Sequence, residues 1–448
     1  MYFTIARNVL YPIGETFLGT KMLKYLKELE ETQWWSPAQL GELQNEKLQA
    51  LIRHAYRNVP YYHRVFEERG LLDKDIQTIA DLQKLPVLTK DIVRSNFSQL
   101  VAKDFKQGKP YLTATGGSTG EPLKFYIDMQ VTSITWAGMF RGWEWAGYKL
   151  GDKRVTLAGS SLVPDKSPSL LNRLRWLAER NLPFSAVHMD EERMASYARK
   201  ITSYKPKFLR GYPSAIYVFA NYLKKAGINT IRPEAVFTTA EMLLPQHREV
   251  IERQFECRVF DHYGSYDGGL QAMECSEHSG YHISVERTIM EFVDEDNKPV
   301  PVGCSGKILA TDLYNYTMPF IRYAVGDVGI FSDEQCPCGR GLPLIKSILG
   351  RTTDVITFNN GVTLSGPALT LVFKDCNINQ YQVIQRAKDK LLIKVVKGYD
   401  YTEDDTEHFL RILRGHIGND VTIEVEFVEE IANTKSGKWR FIISEVPR

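Results

Sequence analysis

Residues 235–264 read AVFTTAEMLLPQHREVIERQFECRVFDHYG. AVFTTAE and RVFDHYG have the β-branched and aromatic content of strands. LPQHREVIERQF between them has the apolar spacing of a helix. The same alternation extends upstream, with RVTLAG at 154–159 and KFLRGY at 207–212 as strands or strand ends and YVFANYLKKAG at 217–227 as a helix. Alternation of this kind predicts an α/β class with crossover helices. Downstream, GKILATDL (306–313) and MPFIRYAVGDVGIF (318–331) read as strands of a smaller, mostly β region.

Residues 20–110 have a helical pattern, as in KMLKYLKELEE and EKLQALIRHAYRNV, with Thr89 or Asp91 as the cap of a short helix. After GRTTD at 350–354 come VITFNNGVTL, QYQVIQRAKDKLLIKVV, a helix over TEDDTEHFLRILRGHIG, and VTIEVEFVEEI. The expected organisation is therefore a large N-terminal domain of mixed sheets and helices over 1–350, with a helical lead over 1–90. A small α+β domain follows over 351–448, within the usual size range.

The chain has 448 residues, 43% of them hydrophobic and 25% charged, an ordinary globular composition for two or three domains. A net charge of +2 without a Lys/Arg run excludes a nucleic-acid partner. No apolar run is long enough to span a bilayer. MYFTIARNVLYPIGETFLG lacks the h-region and cleavage site of a signal peptide and reads as a packed N-terminal helix, a helix lying on a partner or membrane surface being the other reading. Six cysteines are too few for a disulfide framework in a chain this long, which fits a cytoplasmic protein.

Polar stretches punctuate this frame. TATGGSTGEPLKF at 113–125 is rich in glycine and hydroxyls. Its residues Gly116, Gly117 and Gly120 permit close backbone approach, and Ser118, Thr119 and main-chain N–H groups suit phosphate oxygens. It lacks the Gly-Lys-Ser/Thr ending of a P-loop, and an ordinary turn is the other reading. DHYGSYD at 261–267 follows a strand, where an α/β sheet places ligand chemistry. RYAVGDVG at 322–329, GRTTD at 350–354 and NTKSGKWR at 433–440 read individually as a hairpin, a linker and a solvated turn.

In this order, TGGSTGEP, YGSYD, RYAVGD, GRTTD and TKSGK resemble the adenylate-forming superfamily of acyl- and aryl-CoA ligases, from about residue 85 to the end. KLQALIRHAYRNVPYYHRVFEERGL, KLPVLTKDIVR and CPCGRGLPLI resemble its phenylacetate–CoA ligase branch, and within it the capsular-polysaccharide-biosynthesis relatives. The resemblance implies ATP-dependent activation of a carboxylic acid as acyl-adenylate, with release of pyrophosphate. Transfer to a thiol, that of CoA first of all, follows. The alternatives are transfer to an amine or hydroxyl, such as a sugar in cell-surface polysaccharide synthesis, and a non-catalytic nucleotide-binding scaffold.

The resemblance also implies roles. Thr115, Gly116, Gly117, Ser118, Thr119 and Gly120 cradle the phosphates, with Thr119 also catalytic. Ala240 stands in place of a family glycine beside Glu241, which borders the adenine. Asp261, His262, Tyr263, Gly264 and Ser265 flank adenine and acyl group. Asp267, one methylene shorter than the family's glutamate, holds Mg²⁺. Asp327 takes the ribose hydroxyls with Arg351. Thr353 and Asp354 mark a hinge that makes the C-terminal domain mobile, and Lys438 reaches the α-phosphate. Leu123 stands where many members have a lysine, with Lys124 next. The acyl pocket is placed at Trp136, Tyr212 and Pro213, although aromatic helices such as TWAGMFRGWEWAGY usually belong to a core.

Cys336-Pro-Cys338-Gly is a knuckle, and ECSEHSGYH supplies Cys275 and His282, with His278 as rival. Two thiolates on a turn with a distant Cys/His pair fit a closed tetrahedral zinc site of structural type, and the resemblance supports it. Reduced loop cysteines are the other reading. Cys257, Cys304 and Cys376 have no partner pattern. The expected cofactors are ATP, Mg²⁺, CoA and Zn²⁺. The oligomeric state is open, with a homodimer among the options.

Overall fold

The computed structural model describes residues 2–103, 110–115, 122–159, 162–163, 170–187, 189–351, 355–373, 375–398, 400–432 and 439–446. An eleven-stranded sheet runs through the larger part of the chain. Its parallel half comprises Arg154–Ala158, Asn181–Ser185, Phe208–Gly211, Ala235–Thr239 and Arg258–Ser265. The helices Glu191–Tyr204, Pro213–Lys225 and Pro245–Phe255 cross between these strands. The chain is α/β, as the alternation predicts.

Both faces of the parallel strands are covered, so their side chains sort strictly by parity. Val155, Leu157, Leu209, Val236 and Val259 pack under the crossover helices through Ile216, Phe219, Ile251 and Phe255. Phe208, Phe237, Phe260 and Met273 face the helix Met129–Glu144 through Ile134, Ala137, Phe140 and Trp143. That helix lies very close to the sheet because two of its residues lack a side chain. A Cβ on Gly138 would meet Gln271 Oε1 at 2.0 Å, and one on Gly142 would meet Met273 Sδ at 1.6 Å. Asp128 starts the helix, accepting from the N–H groups of Gln130 and Val131 at 2.9 and 3.0 Å.

Arg258–Ser265 is the hinge of the sheet: parallel to Ala235–Thr239 on one side, antiparallel to Leu270–Glu274 on the other. From there antiparallel pairing continues through Tyr281–Ile283, Leu344–Arg351, Tyr323–Ser332, Ser305–Asp312 and Thr288–Val293. The mostly β region expected near 300–330 is the antiparallel end of this one sheet. Leu344 and Ile345 pair with His282 and Tyr281, which splices those strands into the main sheet.

The helical lead is part of the same core. Ser36 and Gln39 form a capping box ahead of Pro37–Asn58, and Leu48, Leu51, Ile52 and Phe66 are buried with Phe125, Phe320 and Ile321. Glu286 is buried between Thr32 Oγ1 at 2.8 Å and Arg141 Nη1 at 2.5 Å, an ion pair that ties lead, helix and sheet together. Leu88 pairs alongside Tyr323. Thr89, not Asp91, caps the short helix Lys90–Ser95, and Asp91 pairs with Arg94.

Toward the C-terminus lies a four-stranded sheet. Ile378–Ala387 and Lys390–Lys397 form a hairpin, flanked in parallel by Ile442–Ser444 and Thr422–Phe427. The helix Glu403–Ile417 buries Phe409, Leu413 and Ile417 on Tyr381, Val383 and Ile393. Leu244, from the larger part of the chain, is buried in this cluster, with Met242 packed against it.

Candidate active site

Among the described residues, Tyr263, Asp327 and Arg351 of three polar stretches meet on one side of the sheet. Tyr263 Oη donates to Asp327 Oδ2 at 2.8 Å, and Arg351 Nε stands 3.5 Å from Asp327 Oδ1. Asp327 and Arg351 are direct cross-strand partners, so strand register alone pairs carboxylate with guanidinium. Burial pushes the Asp327 carboxyl up from its ordinary value, and Arg351 draws it back. Nearby, Asp267 is buried; its Oδ2 accepts from Tyr323 Oη at 2.7 Å, and its Oδ1 accepts from Ser265 Oγ.

Asp261 faces the other way from His262. Its oxygens accept from Thr238 Oγ1 at 2.5 Å and from Tyr281 Oη at 2.9 Å. Burial, with Glu274 nearby, pushes this carboxyl up to about 6. It acts as a strut between strands. His262 Nδ1 lies 3.2 Å from Thr239 Oγ1. Gly264 is confined, since a Cβ there would meet the Leu270 carbonyl at 3.0 Å.

Glu241 follows the strand Ala235–Thr239 through Ala240, whose φ of 71° is left-handed. That geometry favours glycine and costs alanine about 1 kcal/mol. It aims Glu241 at two backbone donors: Oε2 accepts from Ser214 N at 3.2 Å, in the first turn of Pro213–Lys225, and Oε1 from Trp439 N at 2.9 Å. The first is favourable to a carboxylate at a helix N-terminus. The second joins Trp439, just before the strand Ile442–Ser444, to the end of the central strand Ala235–Thr239. Trp439 also lies over His247, with ring centroids 5.7 Å apart.

Thr115 closes the base of the glycine stretch, accepting at Oγ1 from Leu123 N at 3.0 Å and donating its own N–H to the Leu123 carbonyl at 3.0 Å. Gly116, Gly117, Ser118, Thr119 and Gly120 lie outside the described residues, as do Thr353, Asp354 and Lys438. Tyr212 and Pro213 form the buried entry of the helix Pro213–Lys225. Trp136 projects from Met129–Glu144 toward Arg210, whose guanidinium carbon is 6.0 Å from its ring.

Several residues here were not singled out in the sequence. Arg210 sits inside an otherwise apolar strand, a placement that was itself the signal. Tyr323 belongs to the RYAVGD stretch, and Trp439 directly follows Lys438.

The ligand atoms of Cys275, His282, Cys336 and Cys338 all lie within 4.8 Å of one another. Cys275 and Cys336 Sγ are 3.6 Å apart, and Cys338 Sγ is 3.3 Å from His282 Nε2. His282 Nδ1 lies 3.2 Å from the Leu342 carbonyl, the second contact that leaves Nε2 as the ligating atom. Burial pushes the Cys275 thiol up to about 12, which a cation would reverse. Three thiols and one imidazole at this spacing fit tetrahedral zinc. His278 turns instead to Glu274, at 3.4 Å.

Residues 356–445 match the CapK C-terminal domain family. Over its whole length the chain is similar to protein CapK of Staphylococcus aureus, 28% identical across 99% of this chain and 97% of that protein. It is 24% identical to a phenylacetate–coenzyme A ligase of Thermus thermophilus, across 86% of each. The chain is thus similar over most of its length to CapK and to a phenylacetate–coenzyme A ligase. A structure of 2-hydroxyisobutyryl-CoA ligase in the postadenylation state superposes with a TM-score of 0.76 at 20% identity, covering 93% of this chain and 92% of that one. The similarity to CapK, which covers 99% of this chain, takes in the helical lead and the strands that carry Tyr263, Asp327 and Arg351.

Proposed function

We propose that this protein activates a carboxylic acid with ATP and Mg²⁺ and passes the acyl group to the thiol of CoA. The acid's carboxylate oxygen attacks the α-phosphorus, the α–β anhydride bond breaks, and pyrophosphate leaves. The thiolate then attacks the acyl carbon, and AMP leaves with the bonding electrons of the C–O bond. Asp327 and Arg351 receive the ribose, Tyr263 and Gly264 border adenine and acyl group, and Thr115 to Gly120 hold the phosphates. Lys438 meets the charge that builds on the α-phosphate, an electrostatic role that needs no protein nucleophile. Asp267 would hold Mg²⁺, which neutralises phosphate charge when bound.

The observation that carries this reading is the Glu241–Trp439 contact, which brings the segment next to Lys438 onto the sheet end where Tyr263 and Asp327 lie. We read residues 351–448 as a lid that turns at Thr353 and Asp354 between half-reactions, 1–350 as the domain it closes on, and the protein as cytoplasmic. The Cys/His cluster we assign to structural zinc, since four protein ligands leave no open position. Among the described residues no helix is long and apolar enough to cross a membrane.

A second reading keeps the adenylation and changes the acceptor to an amine or hydroxyl, such as a sugar in capsular polysaccharide synthesis. Acid-dependent exchange of pyrophosphate into ATP tests the shared first step; its absence for every acid offered, with no ATP binding, refutes both readings. CoA-dependent AMP release then separates the two acceptors.

A further inference from the structure

Two helices on one flank of the protein turn apolar side chains outward. The chain is helical from Tyr2 to Leu18, with a π-turn over Ala6–Leu10. The inner side of this helix is pinned. Ala6 is buried against Gly151, where a Cβ would meet the Ala6 Cβ at 2.8 Å, and the Tyr11 ring meets Phe140 edge-on at 6.0 Å. The outer side carries Ile5, Val9, Ile13 and Phe17, all exposed, Phe17 by 88%. Residues four apart share a helix face, so these four form one row. The helix Leu170–Ala178 does the same with Leu170, Leu174 and Leu177, the first and last exposed by 73% and 74%. A surface helix ordinarily turns such a stripe toward the core.

The two helices are neighbours. Tyr2 Oη donates to the Ala178 carbonyl at 3.0 Å. Both back onto Met129–Glu144, the first through Tyr11 and Phe140, the second through Arg175, whose guanidinium carbon is 5.3 Å from the Trp136 ring. Cations border the rows. Arg173 is exposed on the second helix, and Lys21 is exposed just beyond the first. Lys149 Nζ stands 5.9 Å from the Phe3 ring, and the Arg180 guanidinium carbon 4.5 Å from the Tyr2 ring. Residues 2–24 and 170–180 contain two acidic side chains, and both are engaged. Glu15 Oε1 accepts from Leu23 N at 2.8 Å, and Glu179 holds Arg154 and Arg175.

We propose that this flank docks the protein on an anionic phospholipid bilayer, the apolar rows entering the headgroup boundary and the bordering cations meeting lipid phosphates. Apolar rows with Lys and Arg at their margins are the pattern of helices that lie in the plane of the interface. Each cation held near an anionic leaflet adds attraction. A second copy of this chain is the poorer occupant. A two-fold contact lays a patch on itself, which here sets one cationic rim against another. The inference concerns where the protein sits and holds for either acyl acceptor.

The test is flotation of the full chain with vesicles of phosphatidylcholine and phosphatidylglycerol, against vesicles of phosphatidylcholine alone. Wild type should float with the mixed vesicles, bind the neutral ones about 10-fold or more weakly, and be released by salt. Ile13→Ser with Phe17→Ser, and separately Lys21→Glu with Arg173→Glu, should each weaken binding to the mixed vesicles by about 10–100-fold. All four side chains are exposed, so thermal melts of both variants should match wild type. A wild type that does not float, that binds both vesicle types equally, or whose binding either variant leaves undiminished overturns the inference. A lowered Tm in either variant shows that those side chains are packed within the fold, and also overturns it. A wild-type dimer in light scattering that Ile13→Ser with Phe17→Ser splits into monomers assigns the face to a second copy and overturns it as well.

Discussion

Glu241 accepts the main-chain N–H of Trp439 at 2.9 Å, and so one carboxylate joins the end of a central strand to the C-terminal segment of the chain. The same carboxylate already caps Pro213–Lys225 through Ser214. If the C-terminal domain swings as we propose, the bond to Trp439 breaks while the bond to Ser214 stays. The residue before Trp439 is Lys438, and its cation is the group our mechanism requires at the α-phosphate. Lys438→Ala should lower acid-dependent pyrophosphate exchange by about 100–1,000-fold, the scale of a lost transition-state donor. Its ATP affinity should change little. Unaltered exchange in this variant removes the lysine from the mechanism.

Asp327 accepts from Tyr263 and lies beside Arg351, the arrangement expected of a site whose hydroxyl ligand displaces a phenol. Asp327→Ala should raise the KM for ATP about 10–100-fold, as the loss of charge-assisted hydrogen bonds implies, with a smaller effect on kcat. Steady-state kinetics at saturating acid decides it; a fall in kcat alone would assign Asp327 to the chemical step.

For the Cys/His cluster, elemental analysis of protein purified without chelator should find about one zinc per chain. Cys338→Ala should lose it and lower the Tm, and a chelator should do the same to wild type. Metal-free protein with an unchanged Tm would leave the cluster as four reduced or neutral side chains.

Glu144 ends the helix Met129–Glu144. Burial, reinforced by Glu30 and opposed by Arg7, pushes its carboxyl up to about 8. A folded value above the unfolded one, near 4.3, means the fold favours the protonated form. That contribution is complete below the unfolded value and is lost as pH rises through about 8. Glu144→Gln should accordingly flatten the decline in Tm between about pH 5 and about pH 9, and be the more stable protein at the upper end. Equal slopes in thermal melts of the two proteins would refute this.

Local pattern revealed the α/β half because each strand and helix there is short-range in sequence: AVFTTAE and LPQHREVIERQF became Ala235–Thr239 and Pro245–Phe255. The splice of Leu344 and Ile345 onto Tyr281 and His282 could not be read, since nothing within a window of either segment names its partner. The knuckle showed two thiols together, and spacing with the resemblance favoured His282 over His278; in three dimensions the His282 ring meets Cys338 and the His278 ring meets Glu274. Arg210 escaped because an arginine in a strand ordinarily marks an edge. Here strands pair on both sides of it.

Leu48, Leu51 and Ile52 of the lead are buried with Phe320 and Ile321, some 270 residues further along the chain. Trimming the protein to begin after residue 90 would strip that covering away and leave a raw greasy flank, with Glu286 deprived of Thr32. The first ninety residues are thus no detachable preface: whatever evolves or is engineered at the nucleotide end must keep this opening segment as its foundation.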